Sequence, residues 1–274
     1  MKKLLISATI TALLATSAMS FAKGPREGGE LSKRMMAELN LTPEQKSDLR
    51  QIKKEARQDS GIYRAEMSAY KDEMRTLMQM ETWDETAVRA LIEERMDGGL
   101  PLKLIGAKAK SQSYNVMTSE QKTMLAEKRA QKLAKRATKM AKSDGNKGAK
   151  RLDKMAKRLD LSEQQKLAIG EIFAENKARR AANKADMKAK GETLRSIIQA
   201  PVFDEDAWLA FHAENKEAHL EKALLKAKSQ FDILSLLNDE QKQKFAKMMK
   251  KAKHKKGEKR GGKRRDKSRN AEAS

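Results

Sequence analysis

Few side chains in this chain could carry out chemistry, and the histidines are the first to consider. The 274 residues include no cysteine and three histidines. His212 and His219 are seven positions apart, so a helix would place both on one face, and they are the candidates for a metal site. Two helical turns separate them, however, whereas two histidines that share one ion usually lie three or four residues apart. We therefore predict no metal site and no cofactor.

Patterns typical of catalysis are also missing from the sequence. It contains no glycine-rich phosphate loop and no thiol. Three histidines in helical sequence provide no plausible hydroxyl–histidine–carboxylate set. The many carboxylates are interspersed with lysines, in a spacing typical of ion pairs along helix surfaces. We therefore predict that the protein is not an enzyme.

Four short motifs place a Ser, Thr or Asn three residues before a glutamine. The first side chain can accept a hydrogen bond from a free amide of the first helical turn, and the glutamine can reach back to the amide of the capping residue. Pro43 suits the first helical position because its missing N–H would be unpaired there. The motifs therefore predict four helix starts and give these pairs a structural role: Thr42 with Gln45, Thr118 with Gln121, Ser162 with Gln165, and Asn238 with Gln241.

The four motifs belong to an internal repeat. A shift of 120 residues superimposes three pairs of segments without a gap: 41–45 on 161–165, 83–85 on 203–205, and 117–121 on 237–241. Within each copy the two capping motifs lie 76 residues apart, and Asp84 and Asp204 suit the start of a further helix between them. A fixed period of this kind indicates two copies of one structural unit.

Composition limits both the fold class and the partners. Aromatic residues make up 4% and charged residues 36% of the chain, which favours narrow apolar seams between long helices over a thick globular core. Apolar residues recur at helical spacing, as in Leu49, Ile52 and Ala56. The formal net charge is +22, and residues 247–274 alone hold 13 Lys/Arg against three acidic residues. We predict an all-α fold and acidic or anionic partners.

The chain divides into segments of different character. Residues 1–22 have a basic start, an apolar middle and a small-residue pattern ending at Ala22, which is typical of a secretory signal. Export without cysteine favours the periplasm. Turn residues indicate a linker, and a basic glycine-containing end indicates disorder. We predict a signal peptide at 1–22, unit one at 31–140, a linker at 141–150, unit two at 151–251, and a disordered basic tail at 252–274.

Two sequences in unit one predict interruptions of its long helices. The segment 98–101, Gly-Gly-Leu-Pro, stands where unit two has Ala-His-Leu-Glu at 218–221. The third helix of unit one, in contrast to that of unit two, should therefore break or kink. Ser60 and Gly61 similarly predict a bend in its second helix.

The arrangement of these motifs resembles the Spy/CpxP family of periplasmic stress proteins. The resemblance rests on the paired Leu-Thr-x-x-Gln motifs, on residues 39–46 as the first motif, and on residues 114–121 before the last helix, and it covers nearly all of both units. It implies four-helix units of long curved helices that pair, antiparallel, into a thin cradle. Because this chain holds two units, it would be either a monomer containing an intramolecular pseudo-dimer or a homodimer.

The resemblance implies ATP-independent chaperone activity on unfolded or partly folded periplasmic proteins. The alternative it implies is a regulator that docks on the periplasmic domain of an envelope-stress sensor kinase; a metal-responsive periplasmic protein is a third hypothesis. Basic and methionine side chains at matching positions of the two copies form either an ordinary solvated face or the predicted client-binding surface: Arg57, Arg64, Met67, Arg75, Lys177, Lys184, Met187 and Arg195. The basic tail could contact anionic envelope surfaces.

Overall fold

The computed structural model describes residues 38–141 and 146–248, apart from the side chains of residues 64–68, 139–141 and 146–147. Within these ranges the chain forms helices joined by short turns and contains no strand, so the predicted all-α class is confirmed. The helices are α1 (Pro43–Asp59), α2 (Gly61–Leu77), α3 (Glu85–Gly98), α4 (Leu100–Asn115), α5 (Ser119–Ala141), α6 (Asn146–Leu159), α7 (Glu163–Ala182), α8 (Lys184–Gln199), α9 (Glu205–Glu214), α10 (Lys216–Ser235) and α11 (residues 239–248).

The repeat of the sequence is a repeat of helices. Helices α1 to α5 correspond in order to α7 to α11. Helices α3 and α9 begin 120 residues apart, each directly after an aspartate. Asp84 accepts a hydrogen bond of 2.8 Å from the amide of Ala87, and Asp204 accepts one of 2.8 Å from the amide of Ala207. Equivalent side chains therefore start equivalent helices in the two units.

Single residues interrupt the long helices of both units. In unit one, Ser60 separates α1 from α2 and Gly99 separates α3 from α4, as the sequence predicts. In unit two, Asn215 separates α9 from α10. Its Nδ2 donates to the carbonyl of Phe211 at 2.8 Å and so competes with the backbone N–H for that carbonyl. The predicted contrast between a broken third helix in unit one and a continuous one in unit two is therefore wrong.

Helix α6 begins inside the segment 141–150 that the sequence indicated as a linker. Its apolar residues Leu152, Met155 and Leu159 recur at helical spacing, and Met155 and Leu159 are buried in the same cluster as Ile169 of α7. Gly170 allows the close approach, since a Cβ there would lie 3.3 Å from Cδ2 of Leu152. Helical packing thus extends further toward the unit boundary than the turn-forming residues indicated.

The two units share their apolar cores. In the larger cluster, Met78, directly after α2, and Val88 of α3 pack with Ala227 and Phe231 of α10. The ring of Trp83, which precedes α3, lies 5.4 Å from the ring of Phe231, measured between centroids. Unit one therefore covers its apolar side chains partly with residues from unit two.

A second cluster repeats this arrangement with the units exchanged. Ile198 of α8 and Trp208 of α9 pack with Ala107 of α4, and all three side chains are at most 8% exposed. Each lies 120 positions from a residue of the first cluster. Burial of one large apolar side chain contributes about 2 kcal/mol, so the two clusters hold the units together within one chain. The curved cradle and the oligomeric state implied by the resemblance stay predictions.

Polar contacts between the units border these clusters. Arg89 of α3 binds Glu217 of α10 at 3.1 Å and also binds Glu221. Asn115, at the end of α4, donates from Nδ2 to the carbonyl of Pro201 at 3.0 Å. Because these groups are partly exposed, they fix the relative position of the helices more than they add stability.

Candidate functional site

In unit one, the glutamines of the two capping motifs bind each other. Gln45 Nε2 donates to Gln121 Oε1 at 2.9 Å, and Gln121 Nε2 donates to Gln45 Oε1 at 3.0 Å. Each glutamine also exchanges hydrogen bonds of 3.0 to 3.3 Å with its own capping residue, Gln45 with Thr42 and Gln121 with Thr118. The N-termini of α1 and α5 are therefore joined side by side.

Unit two contains the same arrangement. Gln165 and Gln241 exchange hydrogen bonds of 2.9 and 3.0 Å. Gln165 caps with Ser162, and Gln241 caps with Asn238, through reciprocal bonds of 2.9 to 3.2 Å. Gln241 Nε2 donates in addition to the carbonyl of Asp160 at 3.1 Å. All four capping pairs expected from the sequence are thus present.

A residue in the left-handed backbone conformation precedes the first motif of each unit. Asn40 has φ 46° and Asp160 has φ 53°. Beyond α6, the amide of Leu161 donates to the carbonyl of Ala156 at 3.1 Å, the bond that closes a helix C-terminus. Asn and Asp adopt this conformation more readily than other residues with a side chain. At these turns the chain changes direction directly before the capping motifs begin.

The glutamine pairs are structural and provide no acid, base or nucleophile. Gln121 is 9% and Gln241 7% exposed, and buried polar groups of this kind need hydrogen-bond partners. A glutamate would complete a capping box equally well, but it has no N–H to donate across the pair. The use of glutamine in all four motifs, together with the equal 76-residue spacing, is the sequence signal from which the pairing could have been predicted.

A basic and partly apolar surface lies where α7, α8 and α10 meet in unit two. Nζ of Lys222 in α10 lies 2.9 Å from Sδ of Met187 in α8. Nη2 of Arg179 in α7 lies 3.5 Å from Oγ of Ser229 in α10. Met187 is 41% and Leu225 is 42% exposed, so both present apolar atoms to solvent beside the basic side chains. We name this surface the unit-two basic face and define it as Arg179, Arg180, Met187, Lys222, Leu225 and Lys226.

The positive charges of Arg95 and Arg180 lie near Lys226, which belongs to this face. The pKa of Lys226 is lowered to about 8, chiefly by burial and then by the positive charges of Arg95 and Arg180. Burial also lowers the pKa of Arg95. Helices α3, α7 and α10 each contribute one of these three cations.

Of the residues predicted to bind clients, Met187 belongs to the unit-two basic face, and Lys184, at the start of α8, is exposed. The side chains of their counterparts, Arg64 and Met67, lie outside the described residues. The sequence prediction required matching side chains in both copies. It therefore missed Lys222 and Lys226 of α10, whose counterparts in unit one are Leu102 and Gly106.

The other four predicted residues have different surroundings. Arg57 on α1 and Lys177 on α7 are exposed. Arg75 is half-buried and binds Asp72 at 2.7 Å. Arg195 is also half-buried and has an interaction partner. That these residues bind clients stays a prediction.

The histidine candidates for metal binding lie on α9 and α10. His212 is 7% exposed, and its ring lies 4.0 Å from that of Trp208. Burial, followed by the charges of Lys103, His219 and Lys110, lowers the pKa of His212 to about 4. In the part of the chain that the structure describes, no group of three or more His, Asp or Glu side chains could hold a metal ion.

The predicted signal peptide and the basic tail from residue 252 lie outside the described residues. Among the helices that the structure describes, none combines the length and the apolar character that crossing a membrane requires.

Comparison with known proteins identifies the repeated unit. The model of the LTXXQ motif family matches residues 28–142 and, separately, residues 147–249. No curated protein sequence and no solved structure matches the chain significantly. The two family matches span more than half of the chain and contain all four glutamine motifs, which confirms the predicted Spy/CpxP-like resemblance and its tandem duplication. The chain therefore belongs to the LTXXQ motif family and contains two copies of the family's unit in tandem.

Proposed function

We propose that the protein is an ATP-independent periplasmic chaperone that binds unfolded or partly folded proteins on the unit-two basic face. The observation that carries the proposal is the exposure of Met187 and Leu225 among lysine and arginine side chains. Membership of the LTXXQ family, which points to a stress-related periplasmic protein, supports it. Export through a signal peptide cleaved near Ala22 is part of the same proposal.

Charge acts first in the proposed mechanism. The chain carries a net charge of +22, so acidic segments of an unfolded protein are attracted before contact, over a screening length of about 8 Å at physiological salt. Attraction of this kind raises association rates without requiring a particular client sequence. The long, flexible lysine and arginine side chains can follow clients of many shapes.

Apolar contacts then hold the client weakly. Methionine adapts to many partner shapes, and covering Met187 and Leu225 contributes about 2 kcal/mol together, since both are already partly buried. A client that folds withdraws its own apolar side chains and so loses this contribution. Release therefore requires no nucleotide.

The test is aggregation of a chemically denatured acidic protein, followed by light scattering after dilution into buffer without ATP. The mature chain should suppress scattering, and suppression should weaken as salt rises. A variant without residues 249–274 should retain suppression, because the unit-two basic face is intact. Absence of suppression, or suppression that does not change with salt, would contradict the proposal. Saturable binding to a purified sensor-kinase periplasmic domain without suppression would support the regulator instead.

A further inference from the structure

We infer that the two units have diverged in function, so that acidic segments of unfolded proteins bind to unit two and not to the corresponding surface of unit one. This inference rests on the proposed function and specifies where and what the protein binds. The ligand that it names is a polypeptide segment with carboxylates next to apolar side chains. It follows from a comparison of equivalent positions in the two copies.

The lysines that α10 contributes to the unit-two basic face have no counterparts in unit one. The 120-residue shift pairs three positions of α10 with three of α4: Lys222 with Leu102, Leu225 with Ile105, and Lys226 with Gly106. Unit one therefore has an apolar residue at the position of Leu225 but no positive charge at the positions of Lys222 and Lys226. Leu102 and Ile105 are half-buried in unit one, whereas Leu225 is exposed.

The first long helix of unit two, α7, likewise has basic residues where α1 of unit one has none. Arg179 of α7 corresponds to Asp59 of α1, and Arg180 corresponds to Ser60. Ser60 is 2% exposed, whereas Arg180 is exposed. At the four positions considered in α7 and α10, unit two thus has four basic residues and unit one has one acidic residue. Arg179 also lies 3.6 Å from Glu175 of its own helix, which offsets part of its charge. At these positions an acidic segment would therefore be attracted more strongly to unit two than to unit one.

The convergence of cations indicates that the ligand is anionic. Arg95, Arg180 and Lys226 come from three helices and are close enough for their charges to interact. A carboxylate could accept a charge-assisted hydrogen bond from Lys222 or Arg180, whose side chains are exposed on this face.

The apolar side chains of the face indicate a polypeptide as the source of the carboxylate. Nζ of Lys222 lies 2.9 Å from Sδ of Met187, so cationic and apolar atoms are direct neighbours across α8 and α10. Leu225, one helical turn from Lys222, extends the apolar area. An unfolded acidic segment presents both kinds of group at this spacing. A phosphate or a sugar would leave the apolar side chains uncovered.

A pair of double variants with equal charge change tests the inference. Lys222→Gln with Lys226→Gln removes two charges from the unit-two basic face. Lys46→Gln with Lys54→Gln removes two exposed charges from α1 of unit one. The probe is reduced, carboxymethylated and fluorescently labelled α-lactalbumin, which is acidic and permanently unfolded, and anisotropy measures its dissociation constant. We expect about tenfold weaker binding for the unit-two variant and less than twofold for the control.

Each result of the binding measurement either supports or contradicts the inference. Equal weakening by both variants would show that only net charge matters, and no weakening by the unit-two variant would exclude the face; either result overturns the inference while leaving the proposed function intact. Failure of the unaltered chain to bind the probe would overturn the proposed function as well. A photo-reactive residue placed at Leu225 should cross-link the probe, whereas one placed at the exposed Leu133 of α5 should not. The reverse pattern would overturn the inference even if the lysine variants misfolded.

Discussion

Gln45 and Gln121 are 76 residues apart and are joined by two hydrogen bonds between their side-chain amides. Each amide donates to the other and accepts from it, and each oxygen also accepts from the amide of its own capping residue. These requirements are met together only when α1 and α5 begin side by side. The repeated motif therefore sets the position of one helix relative to another, besides starting each helix.

Gln121→Glu should destabilise the protein although it keeps the shape of the side chain and the capping bond. The carboxylate cannot donate to the Gln45 oxygen, and at 9% exposure it is poorly hydrated. We expect a loss of about 2 kcal/mol in the free energy of unfolding, measured with denaturant at neutral pH. Gln131→Glu, an exposed change on the same helix, should stay within about 0.5 kcal/mol. Equal losses in the two variants would exclude the pair as the cause.

Asn40 offers a test of the turn that leads into the first motif. Its φ of 46° is readily adopted by glycine and is strained for a β-branched residue. Asn40→Gly should therefore keep or raise the free energy of unfolding by up to about 1 kcal/mol, and Asn40→Val should lower it by about 1 to 2 kcal/mol. Ser47→Gly within α1 should instead lower it by about 0.5 to 1 kcal/mol. A stabilising valine would mean that the turn relaxes to another conformation.

The features that could be predicted from the sequence are those that depend on neighbouring residues. The capping boxes at Thr42 and Ser162 join groups three residues apart, and the break at Gly99 follows from local glycine and proline. The partner of Gln45 lies in another helix, so the capping rules do not identify it, and only the equal 76-residue spacing of the glutamines in both units indicates it. The interruption at Asn215 depends on its side chain bonding to the preceding turn, which an exposed asparagine in a straight helix need not do.

The basic face was missed for a different reason. The search for binding residues used agreement between the copies, which selects what both units need for folding or for a shared role. Lys222 and Lys226 differ from their counterparts, so agreement between copies excluded them. Only the packing of α10 against α7 and α8 shows that they share a surface with Met187.

His212 should make the stability of the protein depend on pH. Its pKa is lowered to about 4 in the folded chain, chiefly by burial, against an ordinary value of 6.5. As the pH falls below about 6.5, the unfolded chain takes up a proton that the folded chain does not accept until about pH 4. The contribution of His212 to stability is therefore fully present above about pH 6.5 and is lost progressively between about pH 6.5 and pH 4. Between pH 7 and pH 5 the free energy of unfolding should fall by about 2 kcal/mol from this group.

The matched variant is His212→Ile, because Ile92 occupies the equivalent position in unit one and is 4% exposed. Denaturant unfolding at pH 7, 6 and 5 should show a smaller loss of stability for this variant than for the unaltered chain. His219→Gln should retain the contribution of His212, although burial also lowers the pKa of His219. An unchanged pH dependence in His212→Ile would show that other groups produce the effect.

Unit one expressed alone, as residues 23–141, should not be a folded monomer. Val88 is 1% exposed in the whole chain, and Ala227 and Phe231 of unit two belong to the cluster that covers it. Uncovered apolar surface is unfavourable by about 25 cal/mol per Å². Ala107 of α4 occupies the position equivalent to Ala227, so a second copy of unit one can supply a similar surface. Sedimentation equilibrium should show a homodimer for the isolated unit and, at the same concentration, a monomer for the full mature chain. A stable isolated monomer would mean that the shared clusters contribute little, and a dimeric full chain would mean that the units pair between chains.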